Sequence, residues 1–134
     1  MTAVVADTHT IIWYLRDAGR LSENATIALD TAIQADSSIY VAAISLVEMT
    51  YLVERNRIPS EAFDQLVDTL NQPNSALEVV PLDQAIALVL RNIDRATVPE
   101  MPDRIIAATA SSLNLPLVTR DLRIQQLTTI QTIW

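Results

Sequence analysis

The chain contains no cysteine and no lysine, a single histidine and a single glycine. Each absence removes a class of chemistry. Without cysteine there is neither a disulfide framework nor a thiolate site, and a cytoplasmic location is the expectation. Without lysine there is no Schiff-base chemistry. Gly19 alone cannot build a phosphate-binding loop or a dinucleotide fingerprint, both of which need several glycines. One histidine without cysteines excludes the usual structural zinc sets. No window approaches the roughly 20 consecutive apolar residues of a membrane span. The first apolar run is short, lacks a basic leader and is soon broken by Asp7, so it does not read as a signal peptide. What remains is oxygen chemistry: carboxylates, hydroxyls and hard cations.

The 134 residues fit one domain, expected to span 1–134, and suffice for a real core. Half of them are hydrophobic and 19% are charged, which excludes a disordered chain. All nine basic residues are arginines, set against sixteen acids for a net charge of −7. That balance argues against a broad basic face for nucleic acid. It leaves room for a nuclease, because a bound divalent cation can supply positive charge locally.

Five short apolar runs stand out: TAVVA (2–6), SIYVAA (38–43), LEVV (77–80), LPLV (115–118) and IQTIW (130–134). The first two are nearly continuous rather than alternating, as in parallel strands covered on both faces. Between the runs lie stretches of helical spacing. Ser22 is placed to cap a helix carrying Ile27, Leu29, Ile33 and small alanines on one face. Phe63, Leu66, Val67 and Leu70 recur at i, i+3, i+4 and i+7. Alternating strands and helices predict a three-layer α/β fold around a mainly parallel sheet of about five strands.

Four acids invite attention, and each has a structural explanation of its own. Asp7 ends the first strand and can cap the helix that follows. Ser45 to Glu48 reads as a capping box, with Ile44 and Met49 as its hydrophobic staple. Asp103 follows Pro102, which suits the first helical position, and an acid there complements the helix dipole. Thr119 or Asp121 can cap a short helix after the fourth run. Together they suggest more. In a parallel sheet, acids just beyond strand ends gather along one edge, which is where open α/β sheets bind ligands. Clustered carboxylates repel unless a cation sits among them, and their oxygens suit magnesium or manganese.

The ordered set VVADTHTIIWYL, AISLVEMTYL and MPDRIIAATASSLNLPLVTRD resembles the PIN domain family, specifically the VapC-type toxins of type II toxin–antitoxin pairs. The likeness runs from residue 3 to about residue 125. It implies a metal-dependent endoribonuclease with a PIN-like fold, in which Asp7, Glu48, Asp103 and Asp121 ligate one or two Mg2+ or Mn2+ ions. It also implies water activated near neutral pH by the metal, and in-line attack that leaves a 5′-phosphate and a 3′-hydroxyl. Thr119, and less directly Thr8, would support the site by hydrogen bonding.

His9 stands where many family members carry a small polar residue. A helix starting near Thr8 is expected to project it away from Asp7, in a supporting role; the alternative is contact with phosphate or base. Arg104 and Arg120 are candidates for holding RNA phosphates or pairing with the acids. For Arg123 solvation is the expectation, and Arg16 and Arg20 are undecided. The resemblance further implies an RNA substrate and a VapB-like antitoxin whose tail enters the acidic groove. A homodimer is also expected, with Trp13, Tyr14, Tyr51 and Leu52 as candidate contributors unless the core claims them.

A receiver domain would need a lysine, and a haloacid-dehalogenase-like phosphatase a second aspartate where His9 stands. A Ser-His-Asp hydrolase lacks its nucleophile elbow. The alternative from another class is a catalytically inactive PIN-like protein-binding module, against which the retention of all four acids speaks.

Overall fold

A computed structural model describes residues 2–134. Strands β1 (Val4–Ala6), β2 (Ile39–Ala42), β3 (Leu77–Val80), β4 (Leu117–Val118) and β5 (Thr132–Ile133) form one sheet in the order β3-β2-β1-β4-β5. Every neighbouring pair is parallel. The helices are α1 (Thr8–Arg16), α2 (Glu23–Gln34), α3 (Ala43–Glu54), α4 (Ser60–Leu70), α5 (Gln84–Val89), α6 (Met101–Leu113) and α7 (Leu122–Gln125). Among the described residues no helix is long and apolar enough to cross a membrane.

The continuous apolar strands are explained by cover on both faces. Val4, Ala6, Ile39, Val41 and Val118 point into one core with Ile11, Leu29, Met49 and Leu66. Their strand neighbours Val5, Ala42 and Leu117 point into the other, against Ile86, Ile106, Ala107, Ala110 and Ile124. Period-two alternation thus divides each strand between two buried layers, leaving no polar face to write into the sequence.

Two helices bury other faces than their spacing suggests. On α2, Ala25, Leu29 and Ala32 are buried at i, i+4, i+7, whereas Ile27 and Ile33 are exposed. Alanines let this helix sit close to the sheet, and the larger isoleucines turn outward. On α4, Ala62 and Leu66 are buried and Phe63 and Leu70 pack at the core margin, while Val67 is exposed. The capping box also fails. Helix α3 begins at Ala43, two residues before Ser45, and its N-cap Ala42 has no side chain to accept a hydrogen bond. Ser45 and Met49 are buried inside the helix instead, so capping does not account for Glu48.

Candidate active site

The sheet order reverses at β1: β2 and β3 are laid down on one side, and the chain then returns to place β4 on the other. A crevice at such a switch point is where parallel α/β sheets take ligands. Asp7 follows β1 at that point and Thr119 follows β4. The Thr119 hydroxyl donates to Asp7 Oδ2 at 2.7 Å, bridging the two strand ends. The same hydroxyl oxygen accepts from the Asp121 backbone N–H at 3.0 Å. One buried threonine therefore fixes two of the acids relative to each other.

Capping and orientation coincide at both. Asp7 caps α1, its Oδ1 accepting from Thr8 N–H at 2.7 Å. Asp121 caps α7, accepting from Arg123 and Ile124 N–H at 2.8 and 3.1 Å. The buried Thr8 hydroxyl donates to Glu48 Oε1 at 2.6 Å and lies 2.8 Å from Ser45 Oγ, tying α1 to α3. Asp103 stands in the first turn of α6, where Pro102 is the second residue of the helix rather than the first.

These elements enclose a cavity of about 590 Å³ whose lining includes Asp7, Glu48, Asp103 and Asp121. The acids sense one another electrostatically. Burial, then the charges of Asp7, Asp121, Glu48 and Glu100, push Asp103 from 3.8 up to about 7. Burial raises Asp7 as well, with Asp121 adding to the rise and the Thr119 and Thr8 hydrogen bonds opposing it. Glu48 is raised by burial and by Asp7, against the lowering effect of its bond from Thr8. The acids line the wall without closing on a single point: among the described residues no three Asp, Glu or His side chains stand close enough to ligate an ion as placed. Mutual repulsion favours that spacing. The donor set itself, all carboxylate oxygen with hydroxyl support, fits a hard divalent cation, whose charge would relieve the repulsion among the acids.

The remaining candidates divide. His9 does not turn away; it is exposed, lines the cavity with Asp7 and packs against Trp13, ring centroids 5.6 Å apart. The first turn of α1 faces the crevice, which carries His9 there. Arg120 also lines the cavity, its guanidinium 5.8 Å from the Trp13 ring, and Arg123 joins it. Arg104 does not. Its guanidinium donates to the backbone carbonyls of Leu90 and Ile93, both at 2.9 Å, holding the 3₁₀ turn Leu90–Asn92 against α6. This arginine is structural. Arg104→Ala removes both bonds, leaving Leu90 O its bond from Ile93 N–H and Ile93 O without this donor. It is expected to cost roughly 1–3 kcal/mol, a Tm loss of about 5–10 °C. Thermal denaturation checks the loss.

Sequence reasoning missed Glu100 and gave Trp13 only a dimer or core role, yet both share the cavity wall. Both had a signal: Glu100 lies three residues before Asp103 at the helix start, and Trp13 lies one helical turn after His9. Of the proposed dimer residues, Tyr51 is 55% exposed, whereas Trp13, Tyr14 and Leu52 pack against the core. Tyr14 further donates to Asp30 Oδ1 at 2.6 Å.

A five-stranded parallel sheet opening at its switch point onto a wall of carboxylates defines an α/β domain with an acidic ligand cleft. Residues 4–129 match the PIN domain family, and the chain belongs to that family. It is 30% identical over 125 residues to Ribonuclease VapC22 of Mycobacterium tuberculosis, covering 93% of this chain and 92% of that protein. In three dimensions it is similar to a chain of VapBC2 from Rickettsia felis, solved bound to a promoter DNA fragment. The TM-score there is 0.72 at 15% identity, over 97% of this chain and 96% of that one. FitAcB from Neisseria gonorrhoeae gives a TM-score of 0.65 at 25% identity, over 96% and 95% of the two chains.

Proposed function

We propose that this protein is a Mg2+- or Mn2+-dependent endoribonuclease and the toxin of a toxin–antitoxin pair. The observation that carries the reading is the presence of Asp7, Glu48, Asp103 and Asp121 on the wall of one cavity at the switch point of a PIN domain. The relative named a ribonuclease supports the activity, and the fold shared with a chain of VapBC2 supports an antitoxin partner. Asp7, Glu48, Asp103 and Asp121 would hold the ion. When bound, it supplies positive charge to the scissile phosphoryl group and makes hydroxide available near neutral pH. The chain's own contribution is orientation. Thr119 holds Asp7 and Asp121 in register, and Thr8 holds Glu48. His9 and Arg120 face the cavity where RNA phosphates would lie.

A partner protein reaches the same carboxylates with a basic side chain, which neutralises them and blocks RNA. Exposed Val47, Tyr51 and Met101 give an apolar patch at α3 and the start of α6 for a homodimer.

End-group analysis of cleaved RNA tests the chemistry: 5′-phosphate and 3′-hydroxyl ends are expected, and 2′,3′-cyclic phosphate would sink the reading, since it marks attack by the RNA's own 2′-hydroxyl. Thr119→Val, which removes the bridge between Asp7 and Asp121, should lower kcat roughly 10- to 100-fold in a cleavage assay. Its KM for RNA should change little.

A further inference from the structure

A second cavity of about 560 Å³ lies between α1, α3 and α4, and His9 and Trp13 line both it and the acidic cavity. The two are therefore contiguous across one aromatic wall, but their charges are opposite. The second is lined by Arg16, Arg20 and Arg57 and by no acid. Such segregation stands out in a chain of net charge −7 with only nine basic residues. Arg20 and Arg120 both approach the Trp13 ring, each guanidinium 5.8 Å from its centroid, so cationic groups continue from the second cavity to the edge of the first.

We propose that this arginine-lined groove binds the phosphates of the single-stranded RNA flanking the cut site, with Trp13 as the aromatic wall between groove and acids. The inference rests on the nuclease reading and deepens it. Single-stranded RNA is held by combining cations along its backbone with aromatic or guanidinium planes against its bases. An acidic cavity attracts a cation but repels the polyanion. A neighbouring basic groove is where the backbone gains affinity and register, and Arg16 and Arg57 supply it without touching the carboxylates.

The test measures binding of a fluorescein-labelled twelve-nucleotide single-stranded RNA of mixed sequence, in Ca2+, as salt is varied. Cleavage of long RNA in Mg2+ is followed in parallel. Arg16→Gln/Arg57→Gln should weaken binding roughly tenfold near physiological salt. The slope of log affinity against log salt should fall by about 1.4, near 0.7 for each phosphate that is no longer neutralised. In cleavage the effect should fall on KM rather than kcat. Arg16→Lys/Arg57→Lys should restore the slope. Arg95→Gln, an exposed charge outside both cavities, should behave as wild type. Wild-type affinity and slope in the double glutamine variant would overturn the inference, leaving a partner protein as the groove's occupant, and so would an equal weakening in Arg95→Gln. A wild-type chain that neither binds nor cuts RNA would instead defeat the nuclease reading itself.

Discussion

Asp103→Asn is expected to reduce RNA cleavage on the order of a thousandfold or more, because under the proposed function Asp103 is one of the carboxylates that would hold the ion. The same change should leave the fold at least as stable as before. Asp103 is half-buried among Asp7, Glu48, Asp121 and Glu100, all of which raise its pKa. An amide of the same shape removes one member of that repulsive set. Loss of activity coupled to unchanged or higher Tm distinguishes a functional carboxylate from a structural one, since neutralising an acid that served only to complement the dipole at the start of α6 would lower Tm. Asp7→Asn should lose activity equally but gain less stability, because Asp7 also accepts hydrogen bonds from Thr119 and Thr8.

The second large effect is on stability, and its sign depends on pH. In the folded chain Asp103 stays protonated to about pH 7, against 3.8 as its ordinary value, so folding takes up a proton between those limits. Its contribution to stability is full below pH 3.8 and is lost as the pH rises toward about 7. Asp7 and Glu48 are shifted in the same direction. Metal-free protein should therefore show a falling Tm from pH 5 to roughly pH 8, a fall that Asp103→Asn makes shallower. Added Mn2+ or Mg2+ should reverse it. At about a hundred times its dissociation constant the ion adds roughly 2.7 kcal/mol, an upward Tm shift of close to 10 °C. That shift should be largest above pH 7, where the acids are ionised, and small near pH 5. Scanning calorimetry across this range, with and without metal, checks both halves. A metal-free Tm that rises with pH would contradict them.

The strands were the most legible part of the chain. LEVV matches β3 residue for residue, and each other apolar run contains its strand, because parallel strands buried on both faces leave little polar interruption. Three of the acids stood out for a related reason: Asp7, Asp103 and Asp121 lie at or within a turn of a helix start, whereas Glu48 lies inside α3 and is set apart only by its apolar neighbours. Helix faces were harder to read. Alanine buries as well as isoleucine when a helix sits close to a sheet, so hydrophobicity alone misplaced Ile27 and Ile33. The Ser45–Glu48 spacing matched a cap but lay inside α3, whose start at Ala43 is set by the end of β2. Arg104 misled because a long side chain can point away from the neighbour that makes it suggestive. The arginine groove was only half legible: Arg16 and Arg20 stood one helical turn apart in the sequence with no role assigned, and Arg57 joins them only when α1 and α4 pack together.

The central claim, that four carboxylates make one metal-dependent RNA-cleaving site, is tested most directly by titrating Mn2+ into metal-stripped protein while following RNA cleavage. Wild type and Asp7→Asn are compared on the same RNA. Wild type should start from no detectable cleavage and rise to saturation, and Asp7→Asn should stay near the baseline throughout. Full-rate cleavage by the stripped wild type, or saturation of Asp7→Asn at the wild-type rate, would contradict the claim.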